Sequence, residues 1–207
     1  MPAMRLGIDV GGTNTDAVLV SKGSVVAVAK RPTTADVSAG IVNATRAVLG
    51  AVGSDGTAVS RVTIGTTHFA NAFVEQKGLQ PVAVLRLAGR TAAAVPPLSG
   101  WPAALRQQLA GPVFQLPGGY EFDGRELGAF DEQAVREAAR AVRAAGVDAV
   151  AISCVFAPVR PDMEQRAARI VREQLPGASL ATSSSIGRVG FLERENATII
   201  NASLMVM

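Results

Sequence analysis

Two short apolar runs joined by a glycine-rich turn constrain this chain more than any other feature. Arg5 to Val10 reads as a buried strand and Thr15 to Val20 as the strand that returns beside it, with Asp9-Val-Gly-Gly-Thr-Asn-Thr-Asp16 between them. Ser21 to Ser24 turns the chain again. Val25 to Arg31 then supplies a third strand, which Pro32 stops because proline has no amide hydrogen to give the ladder. The expectation is a three-strand meander. Val37, Ile41, Ala44, Val48 and Ala51 follow at helical spacing, with Asp36 or Thr34 available as a cap. A strand at Val59 to Ile64, a helix at Thr67 to Gln76 and a strand at Pro81 to Leu87 read as a β-α-β crossover.

Ala88 to Gly128 breaks the pattern. Pro96, Pro97, Pro102, Pro112 and Pro117 interrupt any long element, so the stretch reads as a proline-rich insertion. Near its end, Asp123-Gly124 suits a tight hairpin turn. Regular alternation resumes at Asp131, a helix cap, followed by Ala134, Val135, Ala138, Val142 and Ala145 on one face and Gly146 as the stop. A strand at Asp148 to Phe156 comes next. Pro161 opens a further helix, Pro176-Gly177 ends it, and a short strand lies around Ser179 to Ser183. Val189 to Met207 reads as a helix buried over most of its surface. Its apolar residues, Ile199, Ile200 and Leu204 among them, predict that further sequence covers it and that the chain alone self-associates.

Composition excludes several classes of function. The chain has 207 residues, 48% hydrophobic and 18% charged, which rules out a disordered tail and leaves room for a sizeable core. The net charge of +3 is spread singly among acids, and aromatics make up 4%, so neither a basic patch nor stacking platforms for nucleic acid are present. One cysteine cannot form an internal disulfide, and Met1 to Gly12 lacks the apolar stretch of a secretory signal. The cytoplasm is the expected compartment. The apolar run from Ala149 to Pro158 is about half of what a membrane span requires.

The most informative chemistry lies in the first turn. Gly11 and Gly12 keep side chains out of the way, so successive amides can point at an anion such as phosphate, and Thr13 and Thr15 can add hydroxyl donors. Asp9 would repel that phosphate unless a divalent cation lay between them, which makes it a candidate for Mg²⁺ held through water. A plain hairpin with Asp9 capping the turn is the alternative for Gly-Gly by itself; the acid before it and the threonines after it favour phosphate. Gly65-Thr66-Thr67-His68 ends one strand and begins a helix, where free amides favour an anion or a polarised carbonyl. His68, the single histidine, is either a capping residue or a catalytic one. Asn71 lies on the same helix face and can contact substrate or bond the adjoining loop. Cys154, inside an apolar strand, is expected to act as a small hydrophobe.

These motifs resemble a known family. GIDVGGTNTDAVLV at Gly7 to Val20 and IGTTHFANAFVEQKG at Ile64 to Gly78 look like the two hallmarks of the hydantoinase/5-oxoprolinase family, within the superfamily of sugar kinases, heat-shock chaperone ATPases and actin. VSAGIVNATRAVL, AAGVDAVAISCVFAPVRP and ERENATIINASL follow in the family's order, and only Ala88 to Gly119 departs. The resemblance implies an α/β, ribonuclease-H-like lobe with one mixed central sheet. It further implies ATP and Mg²⁺ as cofactors and a hydantoin- or 5-oxoproline-like cyclic amide as substrate. On that footing, residues 1–207 form a single N-terminal phosphate-binding lobe, with the insertion at about 88–128 and a helix at 188–207 that leads to a second lobe or partner subunit. Gly11, Gly12, Thr13 and Thr15 would cradle phosphates, Asp9 would hold the metal, and Asp16 would either assist or satisfy backbone amides. Thr66, Thr67, His68 and Asn71 would face the substrate. Glu193, Arg194 and Asn201 match positions that serve either a hinge or substrate contact. A non-catalytic nucleotide-sensing or assembly module and a small-metabolite kinase lobe are the alternatives.

Overall fold

The computed structural model describes residues 3–34, 36–90, 92–187 and 190–205, without the side chain of His68. Two compact units divide the chain, Met1–Glu75 and Gln76–Met207. The first is built on the expected meander. Strands β1 (Met4–Val10), β2 (Asn14–Ser21) and β3 (Ser24–Pro32) pair antiparallel in sequence order. Lys22 and Gly23, both at positive φ, make the tight turn between β2 and β3 that suits strand twist. Helix α1 (Val37–Gly50) begins where the Asp36 carboxylate accepts hydrogen bonds from the amides of Ser38 and Ala39. Strand β4 (Val59–Thr66) then lies parallel to β1, giving the order β3-β2-β1-β4, and helix α2 (His68–Glu75) follows.

Alternation along these strands decides which face is covered. Leu6, Ile8, Val10, Ala17 and Leu19 point to one side and form a core with Ala44 and Val48 of α1. Arg5, Gly7, Asp9, Asp16 and Val18 belong to the opposite set, and that face is open.

The second unit carries a parallel sheet of its own. Strands β5 (Val82–Leu87), β6 (Ala110–Leu116), β7 (Ala149–Cys154) and β8 (Ser179–Thr182) are ordered β6-β5-β7-β8. Helices α4 (Glu132–Ala144) and α5 (Asp162–Gln174) cover one face and share a core with Leu85, Leu87, Val150 and Ile152. Asp131 caps α4 as expected, and Gly146 follows it at positive φ. Helix α6 (Phe191–Leu204) packs on the other face, so every residue of β5 and β7 is buried, as parallel strands require.

Three expectations are corrected. The described residues build two sheets instead of one mixed central sheet, and β4 and β5 lie in different sheets, so the segment between them is not a crossover within one sheet. The stretch from Ala88 to Gly128 contains helix α3 (Ala103–Leu109) and β6, and β6 joins the second sheet as an edge strand beside β5. Prolines at 102 and 112 fit there because one precedes the helix and the other lies on an edge. Finally, the apolar face expected to stand in water on α6 is largely covered: Ile199 is 1% exposed and Ile200 and Leu204 are half-buried, with Met205 exposed. The helix instead buries Arg194, Glu195, Asn196, Thr198 and Ser203. Val189 and Met207, the expected limits of this helix, lie outside the described residues.

Candidate functional site

Strand register sets what the open face of the first sheet presents. Asp9 on β1 stands opposite Asp16 on β2, Asp16 stands opposite Lys30 on β3, and Gly65 on β4 lies beside Asp9. One row across four strands therefore reads Lys30, Asp16, Asp9, Gly65. Lys30 Nζ lies 3.5 Å from Asp16 Oδ1. A methyl group at Gly65 would stand 3.8 Å from Asp9 Oδ1, so the missing side chain leaves the backbone bare beside that carboxylate. The row lines a cavity of about 460 Å³, together with Gly7, Val18, Val28 and Thr63.

Two carboxylates on neighbouring strands repel each other unless a positive charge compensates them. Lys30 offsets one of them, and Asp9 is left exposed at the cavity without a partner from the row. Among the described residues no group of three or more His, Cys, Asp or Glu could hold a metal. The donor set here fits a hard cation that binds through one or two carboxylates and keeps water, as Mg²⁺ does.

The glycine turn adjoins this row. The Gly11 amide donates to the Asn14 carbonyl at 2.9 Å and closes the hairpin. Neither Gly11 nor Gly12 adopts positive φ; what both supply is space. A methyl at Gly12 would come within 3.1 Å of Asn71 Nδ2, and one at Gly11 within 3.1 Å of the Asn14 carbonyl oxygen. Gly12 and Thr13 are exposed at the tip. Thr15 is fully buried beneath it, with its hydroxyl 3.1 Å from Thr33 Oγ1, and Thr33 Oγ1 donates to the Gly11 carbonyl at 2.8 Å. A hydroxyl has one proton, so Thr15 donates to Thr33 and Thr33 to Gly11. The Thr33 amide also donates to the Thr13 carbonyl at 2.9 Å. Side chains thus fix the turn from below while its tip stays open.

The second motif reaches the same place. The Val10 carbonyl accepts from the Thr67 amide at 3.2 Å and from Thr66 Oγ1 at 3.2 Å, which ties the exit of β4 to the exit of β1. Asn71, one turn into α2, thereby lies against Gly12. His68 opens α2, and its side chain lies outside the described set.

Lys30 and Thr33 were not legible as site residues. Counting back from the Lys22-Gly23 turn places Ala29 opposite Asp16, but a bulge between Leu19 and Val20 shifts the register by one and brings Lys30 there. Thr33 follows Pro32, where a strand pattern has already ended. In the second unit, burial pushes the Cys154 thiol up, in agreement with a packing role. Arg194 is buried and donates to the Cys154 carbonyl and Ser183 Oγ, whereas Glu193 and Asn201 are exposed.

An open mixed sheet with a bare glycine turn, joined in sequence to a parallel α/β unit, defines an α/β protein with mixed and parallel sheets and, among the described residues, six α-helices. The chain belongs to the family of the hydantoinase/oxoprolinase N-terminal region, whose model matches residues 5–175. It is 30% identical to the caprolactamase alpha subunit of Pseudomonas jessenii over 97% of its length and 31% of that protein's. The crystal structure of the ATP-dependent caprolactamase from that organism matches with a TM-score of 0.72, over 97% of this chain and 31% of that one. A nucleotide-free acetone carboxylase structure matches with a TM-score of 0.74 at 22% identity, over all of this chain and 33% of that one, and shows the likeness of fold alone. The chain spans about a third of the length of these relatives.

Proposed function

We propose that this chain is the phosphate- and metal-binding region of an ATP-dependent enzyme that opens cyclic amides of the hydantoin, 5-oxoproline or caprolactam kind. Its first unit would be the phosphate-binding half of a ribonuclease-H-like lobe. The observation that supports the reading most is the adjacency of three things in the first unit: the acidic row, the bare glycine tip, and the Thr66 to Asn71 turn tied to it through the Val10 carbonyl. Opening a stable lactam is unfavourable; ATP, when bound with Mg²⁺, would supply a phosphoryl group to the ring carbonyl oxygen with release of ADP, so that water adds to the ring carbon, the ring C–N bond breaks and the phosphate leaves by hydrolysis.

Each residue then has a defined task. Gly12 and Thr13 present backbone and hydroxyl donors to phosphate oxygens, and Thr15 and Thr33 hold that backbone in place. Asp9 holds the cation through water, which offsets the repulsion between its carboxylate and the phosphates. The Thr67 hydroxyl, at the start of α2, would orient a ring carbonyl next to the same tip, while Thr66 Oγ1 and the Thr67 amide, both donated to the Val10 carbonyl, hold that turn in place. Pre-set donors of this kind lower the barrier because they need not reorganise as charge develops. Since in-line transfer needs phosphate, metal and substrate fixed together, the reading assigns turnover to the whole protein of which this chain spans the N-terminal region.

The test is ADP release, measured with each ring compound, by the chain alone and by the chain joined to its natural continuation or partner subunit. The expected result is substrate-stimulated release by the complete protein only, abolished by Gly12→Val. Release that no cyclic amide stimulates would overturn the assignment.

A further inference from the structure

The row on the open face holds a group that this assignment does not use. Lys30 extends from the edge strand β3 with 63% of its side chain exposed, and its ammonium stands 3.5 Å from Asp16 Oδ1. Charge-assisted hydrogen bonds are usually about 2.7–2.9 Å, so the pair is held by attraction across a gap and not by a tight bond. Among the described residues it is the one cation lining the cavity that Asp9, Asp16 and Gly65 also line.

Register makes Asp16 a shared neighbour, with Lys30 on one side and Asp9 on the other. A divalent cation arriving at Asp9 attracts the Asp16 carboxylate as well, and each step Asp16 takes toward the metal weakens its hold on Lys30. The released ammonium sits on a flexible stem facing the same cavity. A triphosphate neutralised by one divalent cation is still an anion, and lysine binds phosphate as a compact point charge. We infer that Lys30 grips the phosphate chain of the bound nucleotide and that Asp16 holds it in reserve until the metal arrives. The inference rests on the phosphate-site reading given above.

Calorimetric titration of the chain with Mg·ATP and with Mg·pyrophosphate separates the two. Lys30→Met is expected to weaken both by about tenfold or more, and Lys30→Arg to restore most of the loss. Asp16→Asn removes a repelling carboxylate and frees the lysine, so it is expected to strengthen the binding of ATP without metal. A second readout is direct. The lysines of the chain are Lys22, Lys30 and Lys77, and ¹³C-dimethylation gives each a separate NMR signal assignable by substitution. The Lys30 signal is expected to shift on addition of Mg·pyrophosphate while that of Lys22 does not. Equal affinity in the wild type and Lys30→Met, with a stationary Lys30 signal, overturns the role of Lys30 and leaves the phosphate site standing. Absence of Mg·ATP binding by the wild type, or binding unaffected by Gly12→Val, overturns the phosphate site and this role with it.

Discussion

Arg86 and Glu195 meet as a bidentate pair with both side chains fully buried, Nε 2.7 Å from Oε1 and Nη2 2.9 Å from Oε2. Ser153 Oγ donates to the same Oε1 at 2.6 Å, and Arg86 Nη1 donates to the Ala92 carbonyl at 2.9 Å. The pair joins β5 to α6, and with Ser153 it also involves β7.

Removing one partner leaves a buried charge uncompensated. Glu195→Ala is expected to destabilise the second unit by about 3–5 kcal/mol, and Arg86→Met/Glu195→Leu to recover much of that loss because no lone charge remains. Urea unfolding of the single and double variants checks this. A double variant as unstable as the sum of the singles would show that the two residues do not act as a pair.

Glu164 should impose a measurable pH dependence. Burial holds its carboxyl above the ordinary 4.5, against hydrogen bonds from Ser183 Oγ and the Ser184 amide that pull it the other way. The folded state therefore binds the proton more tightly than the unfolded chain. Stability from this group is complete below 4.5 and is lost as pH rises through the raised folded value. Glu164→Gln should flatten that fall. Unfolding midpoints measured across the range for both proteins give the answer, and parallel curves would refute it.

Gly12→Val should abolish Mg·ATP binding without unfolding the first sheet. The added carbons would enter the space beside Asn71 Nδ2, where a single methyl already stands at 3.1 Å, yet Gly12 itself is exposed at the turn tip. Asn71→Ala should weaken binding less. Circular dichroism confirms folding and calorimetry reads the affinity.

Asp9→Asn should remove the magnesium dependence of nucleotide binding. The wild-type chain is expected to bind Mg·ATP weakly, with a Kd of roughly 1 mM, equivalent to about −4.1 kcal/mol, because it spans only part of its relatives. Equal affinity of the wild type with and without Mg²⁺ would count against Asp9 as the metal residue.

How much of this was legible in the sequence follows the range of the interactions involved. The β1 to β3 meander, the caps at Asp36 and Asp131 and the stop at Gly146 depend on neighbours a few residues away, and all were readable. The division into two sheets was not, because whether β4 and β5 share a sheet is decided by partners far along the chain. The polar burial of α6 escaped for the same reason. Ile199, Ile200 and Leu204 advertised an apolar helix, while Glu195 is explained by Arg86, which lies 109 positions away. At the candidate site, the glycine turn between β1 and β2 and the place of Asp9 on β1 were legible from local pattern, and a one-residue bulge concealed that Lys30 stands opposite Asp16.

The placement of Arg86 and Glu195 also orders events during synthesis. β5 is the first strand of the second unit and α6 its last helix, so a chain emerging from the ribosome exposes an unneutralised Arg86 until residue 195 follows it. In the first unit β1 to β3 pair with immediate neighbours, and β4 joins β1 once residues 59–66 follow. The first sheet can thus begin to pair strand by strand, whereas the ion pair that joins β5 to α6 forms late. Apolar surface and strand edges left uncovered over that interval favour aggregation.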